Sequence, residues 1–352
     1  MLPLRLLRAC TTLKPSTTSE SELGPLLDFL QRSGCIPAGM TVNAQPLTGG
    51  VSSDIWKIDL ADGRTLCVKR ALARLKVAQT WEAPIERNRY ERLWLNTANR
   101  IRPGIAPQVL ADDDAGYFAM TYLDPQHHPL WKTELANARV QPDFADSLGE
   151  ALVQLHAATA NDTDLAMQFR TDASFYALRL EPYLVATARA HPDLAEALQS
   201  LVTITAQHRV ALVHGDVSPK NILCGPAGPI LLDAECAWFG DPAFDLAFCL
   251  NHLLLKCLWV PQARAALLQS ARALSGRYLA GVHWETPALL EARAAALLPG
   301  LLLARIDGKS PVEYIQTEAQ KNQVRVFARH WITRPSPDIF TLCQAWHQHL
   351  HT

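Results

Sequence analysis

At 352 residues, 49% of them hydrophobic, the chain is long enough to bury a sizeable core and to divide into two lobes. Lys and Arg total 33 and Asp and Glu 34, a formal net charge of −1, so no global basic field exists to hold nucleic acid or an anionic membrane, and a charged partner must be met locally. Eight cysteines, at 10, 35, 67, 224, 236, 249, 257 and 343, form no CxxC pair and several lie in apolar runs, which suits buried thiols in a reducing, cytoplasmic setting rather than a disulfide or zinc framework.

The opening MLPLRLLRACTTLKPSTT is basic, Ser/Thr-rich and free of acids. It is more like a transit peptide than a secretory signal, and residues 1–18 are expected to form a disordered leader. Order is expected from Ser19: SESELGPLLDFLQRSG has Glu22 three residues after Ser19, leucines at 23, 26, 27 and 30, and Gly34 beyond the end, the pattern of a capped amphipathic helix. AQPLTGGVSSDIWKIDLADGRTLCVKR then predicts an antiparallel meander: strand, Gly-rich turn, strand, ADGR turn, and a strand ending at Lys69. IERNRYERLWLNTA, residues 85 to 98, has near-helical apolar spacing, and GYFAMTYLDPQ predicts one further strand running into a Pro-containing linker at 124–129.

After the linker the texture changes to Ala/Leu-rich segments predicted helical at about 142–159, 172–208, 241–257, 261–280, 285–306 and 312–331. The β signal there is one hairpin, VHGDVSPKNIL followed by LLDAECAWFGDPAFDLA. The most apolar stretches, LAFCLNHLLLKCLWV and ALLPGLLLARI, are interrupted by His252, Lys256 and Pro299, and predict core helices rather than membrane spans. The expected fold class is α+β: an N-terminal lobe, 19–123, with a small antiparallel sheet and one helix, and a large helical C-terminal lobe, 124–352, as a monomer or homodimer.

Phosphoryl transfer requires backbone amides and a lysine on the nucleotide phosphates, oxygen ligands for magnesium, and a carboxylate at the attacking hydroxyl. GGVSS, with Gly49, Gly50, Ser52 and Ser53, is a turn whose amides can approach phosphate without Cβ obstruction. Lys69 stands among apolar neighbours and needs a charged partner, with Glu91 the candidate and Glu86 the alternative. Asp216 and Asn221 are five apart on one loop, and Asp233 follows after strand, turn and strand, so three oxygen-bearing side chains can converge. Asn221 and Asp233 suit magnesium, leaving Asp216 free to accept a proton. Lys220 can reach the γ-phosphate, Glu235 can assist the metal or the acceptor, and Asp241 and Asp245 read as scaffolds at a helix start. DGKSP has Leu303 where a P-loop requires Gly, and the adjacent His127 and His128 diverge too far to share a metal.

These motifs resemble the aminoglycoside phosphotransferase and choline kinase superfamily, small-molecule kinases with a bilobal protein-kinase-like fold. Within it, CVKRALARLKVAQTWEAPIERNRYERLWL and AMTYLDPQHHPLW are similar to the corresponding stretches of methylthioribose kinases. The resemblance implies an ATP- and magnesium-dependent enzyme with Asp216 as catalytic base, Asn221 and Asp233 on the metal, Lys69 on the α- and β-phosphates, Glu91 positioning Lys69, and Met120 to Tyr122 offering backbone to adenine. Two positions depart from the pattern: Ser218 stands where these kinases commonly have His, and Asn221 where methylthioribose kinases usually have Ser. From 242 to 352 eleven Lys and Arg face seven Asp and Glu, a balance suited to a neutral or anionic hydroxylated acceptor and adverse to a polycation. Arg305, Asp307 and Lys309 are expected to make one polar patch there, with Arg305 touching the acceptor. The competing expectations are an aminoglycoside phosphotransferase and a non-catalytic, nucleotide-binding pseudokinase.

Overall fold

A computed structural model of the chain describes residues 20–47, 53–72 and 86–351, with the side chains of 20–22 outside the description. The expected leader, the Ser19 cap and the Gly49, Gly50 and Ser52 positions lie outside the described residues. The N-terminal part runs α1 (Glu20–Arg32), β1 (Val42–Pro46), β2 (Ser53–Leu60), β3 (Thr65–Ala71), α2 (Arg87–Ile101), β4 (Val109–Asp112) and β5 (Tyr117–Thr121). The five strands form one antiparallel sheet in the order β1-β2-β3-β5-β4. The meander is as expected, but four-residue β4 was not foreseen, because so short a strand displays no readable alternation.

Strand β3 is central and buried on both faces, and its two-residue period sorts its side chains. Leu66 and Val68 join Leu26, Phe29, Leu30, Trp56 and Tyr117 in a core under α1. Lys69 projects to the other face and reaches Glu91 on α2.

The remainder is mainly helical: α3 (Trp131–Ala136), α4 (Pro142–Thr159), α5 (Thr163–Gln168), α6 (Asp172–Phe175), a π-helix (Tyr176–Val185), α7 (Ala186–Ala190), α8 (Ala195–Gln207), β6 (Ala211–Val213), β7 (Ile222–Gly225), β8 (Gly228–Leu231), β9 (Trp238–Gly240), α9 (Pro242–Trp259), α10 (Arg264–Ala280), α11 (Pro287–Asp307), α12 (Glu318–Thr333) and α13 (Ile339–His349). The fold class is therefore α+β, as expected. Helix α9 is buried all round from Pro242 to Leu258 and forms the axis of this part. Gly149 lets α4 cross α10 closely, since a Cβ there would stand 2.4 Å from the Leu274 carbonyl oxygen.

Several expectations require correction. The hairpin β7/β8 is present, but β6 pairs with β9 in a second two-stranded sheet, so the hairpin is not the sole β element. The predicted helix at 172–208 is five helical pieces, including a 3₁₀ turn (Pro192–Leu194) and a π-helix containing Pro182, whose missing N–H already leaves the ladder one bond short. Helix α12 begins at Glu318, capped by Thr317, not at 312. Among the described residues one helix, Pro287–Asp307, is long and apolar enough to cross a membrane; 61% of its apolar window is buried, and it packs on α9 and α12.

Candidate active site

The loop between β6 and β7 is held from below by α9. Asp241 caps α9, accepting from the Ala243 amide, and Asp245 in its first turn accepts from the amides of His214 and Gly215 at 2.7 and 2.8 Å. Gly215 has φ +76°, and a Cβ on it would meet the Cys236 carbonyl oxygen at 2.4 Å, so both conformation and space demand glycine. His214 Nδ1 accepts from the Asp216 amide at 3.1 Å, which puts the ring proton on Nε2, facing the Leu232 carbonyl at 3.0 Å. Burial holds this imidazole below its usual range, so it serves as a neutral strut.

Asp216 is thereby fixed with its two oxygens in different settings. Oδ2 meets Asn221 Nδ2 at 2.8 Å, Arg179 at 2.9 Å and Lys220 at 3.2 Å. Oδ1 has no partner among the described residues. Burial raises the carboxyl pKa, but Arg179 and then Lys220 outweigh it and hold the group below the usual carboxylate range. Arg179 itself is locked, donating to the Gly215 carbonyl at 2.5 Å and to Leu178 at 2.7 Å.

Across from this loop, Lys69 donates to both Glu91 oxygens, at 2.9 and 2.7 Å, and to Asp233 Oδ1 at 2.5 Å. Burial pushes the ammonium toward neutrality; Asp233 and Glu91 overcome it and hold Lys69 charged. Burial pushes the Glu91 carboxyl up to about 7 against the pull of Lys69. Two oxygens on one ammonium is the geometry of a carboxylate, and we read the pair as ionised. Glu91, not Glu86, is thus the partner. Asp233 follows β8 with φ +63°, a strained conformation for a residue with a side chain.

The other predicted residues fall as follows. Ser53 opens β2, buried, its Oγ without a hydrogen-bond partner among the described residues. Met120 lies in β5 opposite Cys67, Thr121 closes the strand, and Tyr122 follows, its ring under the Lys57 ammonium. Lys220 is half-exposed beside Asp216, which raises its pKa. Glu235 reaches the same centre but is tied to α2, accepting from Arg87 Nε at 3.1 Å. The expected Arg305, Asp307 and Lys309 patch does not form, because their side chains diverge: Arg305 is buried against Tyr183 and Ser310, Asp307 pairs with Arg325 and His191, and Lys309 with Glu181.

Arg179, Tyr183 and Arg87 were not foreseen. Their signal was a charged or hydroxylated residue inside an apolar helical run, FYALRLEPYLV for the first two.

The donor set fits a hard divalent cation. Both Asn221 contacts run through Nδ2, to Asp216 Oδ2 and the Asp216 carbonyl, leaving Oδ1 unengaged, and Asp233 keeps its second oxygen free of described partners. Two oxygen ligands with phosphate and water completing the shell is the magnesium habit. Among the described residues no three His, Cys, Asp or Glu converge as an all-protein metal cage.

Residues 43–290 match the family model described as the phosphotransferase enzyme family. A methylthioribose kinase of Yersinia pseudotuberculosis is 26% identical over 247 residues, 62% of this chain and 60% of that protein. One from Pectobacterium atrosepticum is 27% identical over 282 residues, 71% and 68% respectively. The chain thus spans about 60% of the length of the first curated relatives it matches. Among solved structures, an ethanolamine kinase of Plasmodium vivax superposes with a TM-score of 0.53 at 12% identity, over 94% of this chain and 88% of that one. An aminoglycoside phosphotransferase of Alicyclobacillus acidocaldarius gives 0.50 at 17% identity, over 98% and 100%. At such identities the likeness shows the fold, which is kinase-like. With well over half of its length inside the family match, the chain belongs to the phosphotransferase enzyme family.

Proposed function

We propose that the protein transfers the γ-phosphate of ATP, with magnesium, to a hydroxyl of a small neutral or anionic metabolite. The observation that carries this is the asymmetry of Asp216: three donors crowd Oδ2 while Oδ1 is left for a hydroxyl proton. In this reading Asp216 Oδ1 orients the acceptor hydroxyl and takes its proton late, as the bond from the γ-phosphorus to the ADP oxygen breaks and the bond to the acceptor oxygen forms. The depressed pKa suits that timing, since a weak base draws no proton until the hydroxyl has become acidic by bonding to phosphorus. Lys69, held by Glu91, lies on the nucleotide phosphates; Lys220 offsets charge on the transferring group. Magnesium, held by Asn221 and Asp233, neutralises phosphate oxygens when bound. Glu235 supports that centre through Arg87. Ser53, with Gly49, Gly50 and Ser52, covers the phosphates, and Met120 to Tyr122 offers its backbone to adenine. The lobes are taken as 19–123 and 124–352, in one cytoplasmic monomer or homodimer.

The acceptor is read as a methylthioribose-like sugar, on the relatives' names, or another neutral or anionic hydroxylated metabolite. An aminoglycoside acceptor is disfavoured by the basic side chains around Asp216. A nucleotide-binding pseudokinase is disfavoured by the free Asp216 Oδ1, which nucleotide binding alone does not need. The test is ADP release over a panel of sugars, amino alcohols, hydroxy acids and antibiotics, by wild type and by Asp216→Asn. The variant should bind ATP and lose transfer by about three orders of magnitude or more; a loss under tenfold on an identified substrate removes Asp216 from the chemistry.

A further inference from the structure

One face of α9 leads away from the catalytic loop: Asp245, Phe248, His252 and Lys256 follow at helical spacing. Lys256 is 1% exposed, and its ammonium makes no hydrogen bond or ion pair with a described residue. It lies over the rings of Tyr314 and Trp259, 4.2 and 4.7 Å from their centroids. Arg305, on α11 and 8% exposed, has Nη1 on the Tyr183 hydroxyl at 3.2 Å and on Ser310, and among the described residues it has no carboxylate partner and its buried Nε no hydrogen bond. Two buried cations therefore stand without a counter-ion among the described residues. Cation–π contact with the two rings returns only part of the cost of burying Lys256.

The two are neighbours, and they are near the chemistry. Burial, then Lys132 and Arg305, pull Lys256 down to about 7 against the opposing pull of Glu313. Both buried cations act on His252, whose Nδ1 is 3.4 Å from the Tyr314 hydroxyl and whose pKa is lowered by burial and by Arg305, Lys256, Lys220 and Lys132. Tyr183 is shared: Arg305 lies over one side of its surroundings at 5.5 Å from the ring centroid and Arg179, the Asp216 partner, at 6.0 Å. Arg305 and the arginine that holds Asp216 thus meet the same aromatic side chain. The acid nearest them, Glu313, is exposed and engaged by Lys132.

We propose that Lys256 and Arg305 form an anion subsite beside the catalytic loop, so that the phosphorylated molecule carries a carboxylate or phosphate ester as well as its hydroxyl. This rests on the phosphotransfer reading above and narrows its substrate class. The stacked Trp259 and Tyr314 rings, 4.6 Å apart, supply the apolar wall on which a compact carbon skeleton rests.

The test uses matched acceptors: D-glycerate with glycerol, D-gluconate with D-glucose, and ribose 5-phosphate with ribose, read by ADP release. The anionic member of at least one pair should exceed its neutral partner about 100-fold in kcat/KM, and Lys256→Met and Arg305→Met should each raise its KM about tenfold or more with kcat nearly kept. Arg305→Lys should recover part of the loss. Lys256→Gln stands in if Lys256→Met does not fold. Neutral members matching the anionic ones in all three pairs, or variants with wild-type KM, would mean structural cations only and overturn the subsite. No ADP from any member, with equal slow ATP turnover in wild type and Asp216→Asn, overturns the phosphotransfer reading and the subsite with it. If ATP turnover does depend on Asp216 but the panel yields no ADP, calorimetric titration with ribose 5-phosphate and gluconate decides. Binding lost in Lys256→Met supports the subsite, and no binding to wild type overturns it.

Discussion

Asp245 makes the scaffolding of the catalytic loop measurable. Its fully buried carboxylate takes the His214 amide at 2.7 Å and the Gly215 amide at 2.8 Å, with His156 Nε2 at 3.3 Å behind. Asp245→Ala strands two buried backbone donors, and at about 1–3 kcal/mol for each unsatisfied group the loss of stability should be about 2–6 kcal/mol. Asp245→Asn keeps one acceptor oxygen and should lose about half as much. Because the stranded amides belong to the two residues before Asp216, the carboxylate of Asp216 should shift as well. A misplacement of about 1 Å would cost about 100-fold in transfer rate at temperatures where the variant is fully folded. Urea unfolding read by tryptophan fluorescence gives the first quantity, and ADP release on an identified acceptor gives the second. A change below 1 kcal/mol for Asp245→Ala would refute the hydrogen-bond accounting. A large loss of stability with transfer intact would refute the link from α9 to Asp216.

Glu91→Gln should cost about 3 kcal/mol, since it breaks a buried ion pair, and should raise the KM for ATP; denaturant melts and initial rates check the two parts. Asn221→Ala and Asp233→Ala should both raise the magnesium concentration for half-maximal rate, Asp233 more, and superimposable titrations would remove both from the metal. Lys256, about 7 in the folded chain against an ordinary 10.5, makes the folded state bind fewer protons between those values. Stability should therefore rise with pH from about 7 to 10.5, by about 1.4 kcal/mol per unit at most, relative to Lys256→Met. Parallel stability profiles for the two proteins would contradict the shift.

The catalytic residues were legible in the sequence to the extent that their spacing is local. Asp216 and Asn221 share one loop, one hairpin carries the chain on to Asp233, and Lys69 lies two residues short of the end of a strand, expected to stop at Lys69, whose alternation is plain. Glu91 was found by asking what a lysine among apolar neighbours must meet. Arg179 was hidden because it comes from a helix 37 residues earlier, in a run that reads as unbroken α-helix and gives no sign of a π turn. Strands β4, β6 and β9, at four, three and three residues, are too short to display a period. Arg305 was singled out for standing at the end of an apolar helix, and the patch expected around it failed because charge spacing along a chain does not say which way side chains leave a helix end. Lys256 left a visible mark, a lone lysine in LLLKCLW, which was read as an interruption of a hydrophobic run rather than as a charge needing an answer.

The π-helix has a consequence for how this wall can change. A helix wound with wider turns already contains surplus chain, so removing one residue between Tyr176 and Pro182 returns it toward ordinary α-helical winding instead of breaking it. Residues on the far side of the deletion, Tyr183 among them, would then keep their phase, because the tighter winding takes up the missing residue. Tyr183 would stay beside Arg305, and the loop bearing Asp216, anchored separately on α9, would keep its place. The segment is in effect a slack link, from which a single codon can be lost while the surface facing the acceptor and the phosphate-transferring centre both stay in register.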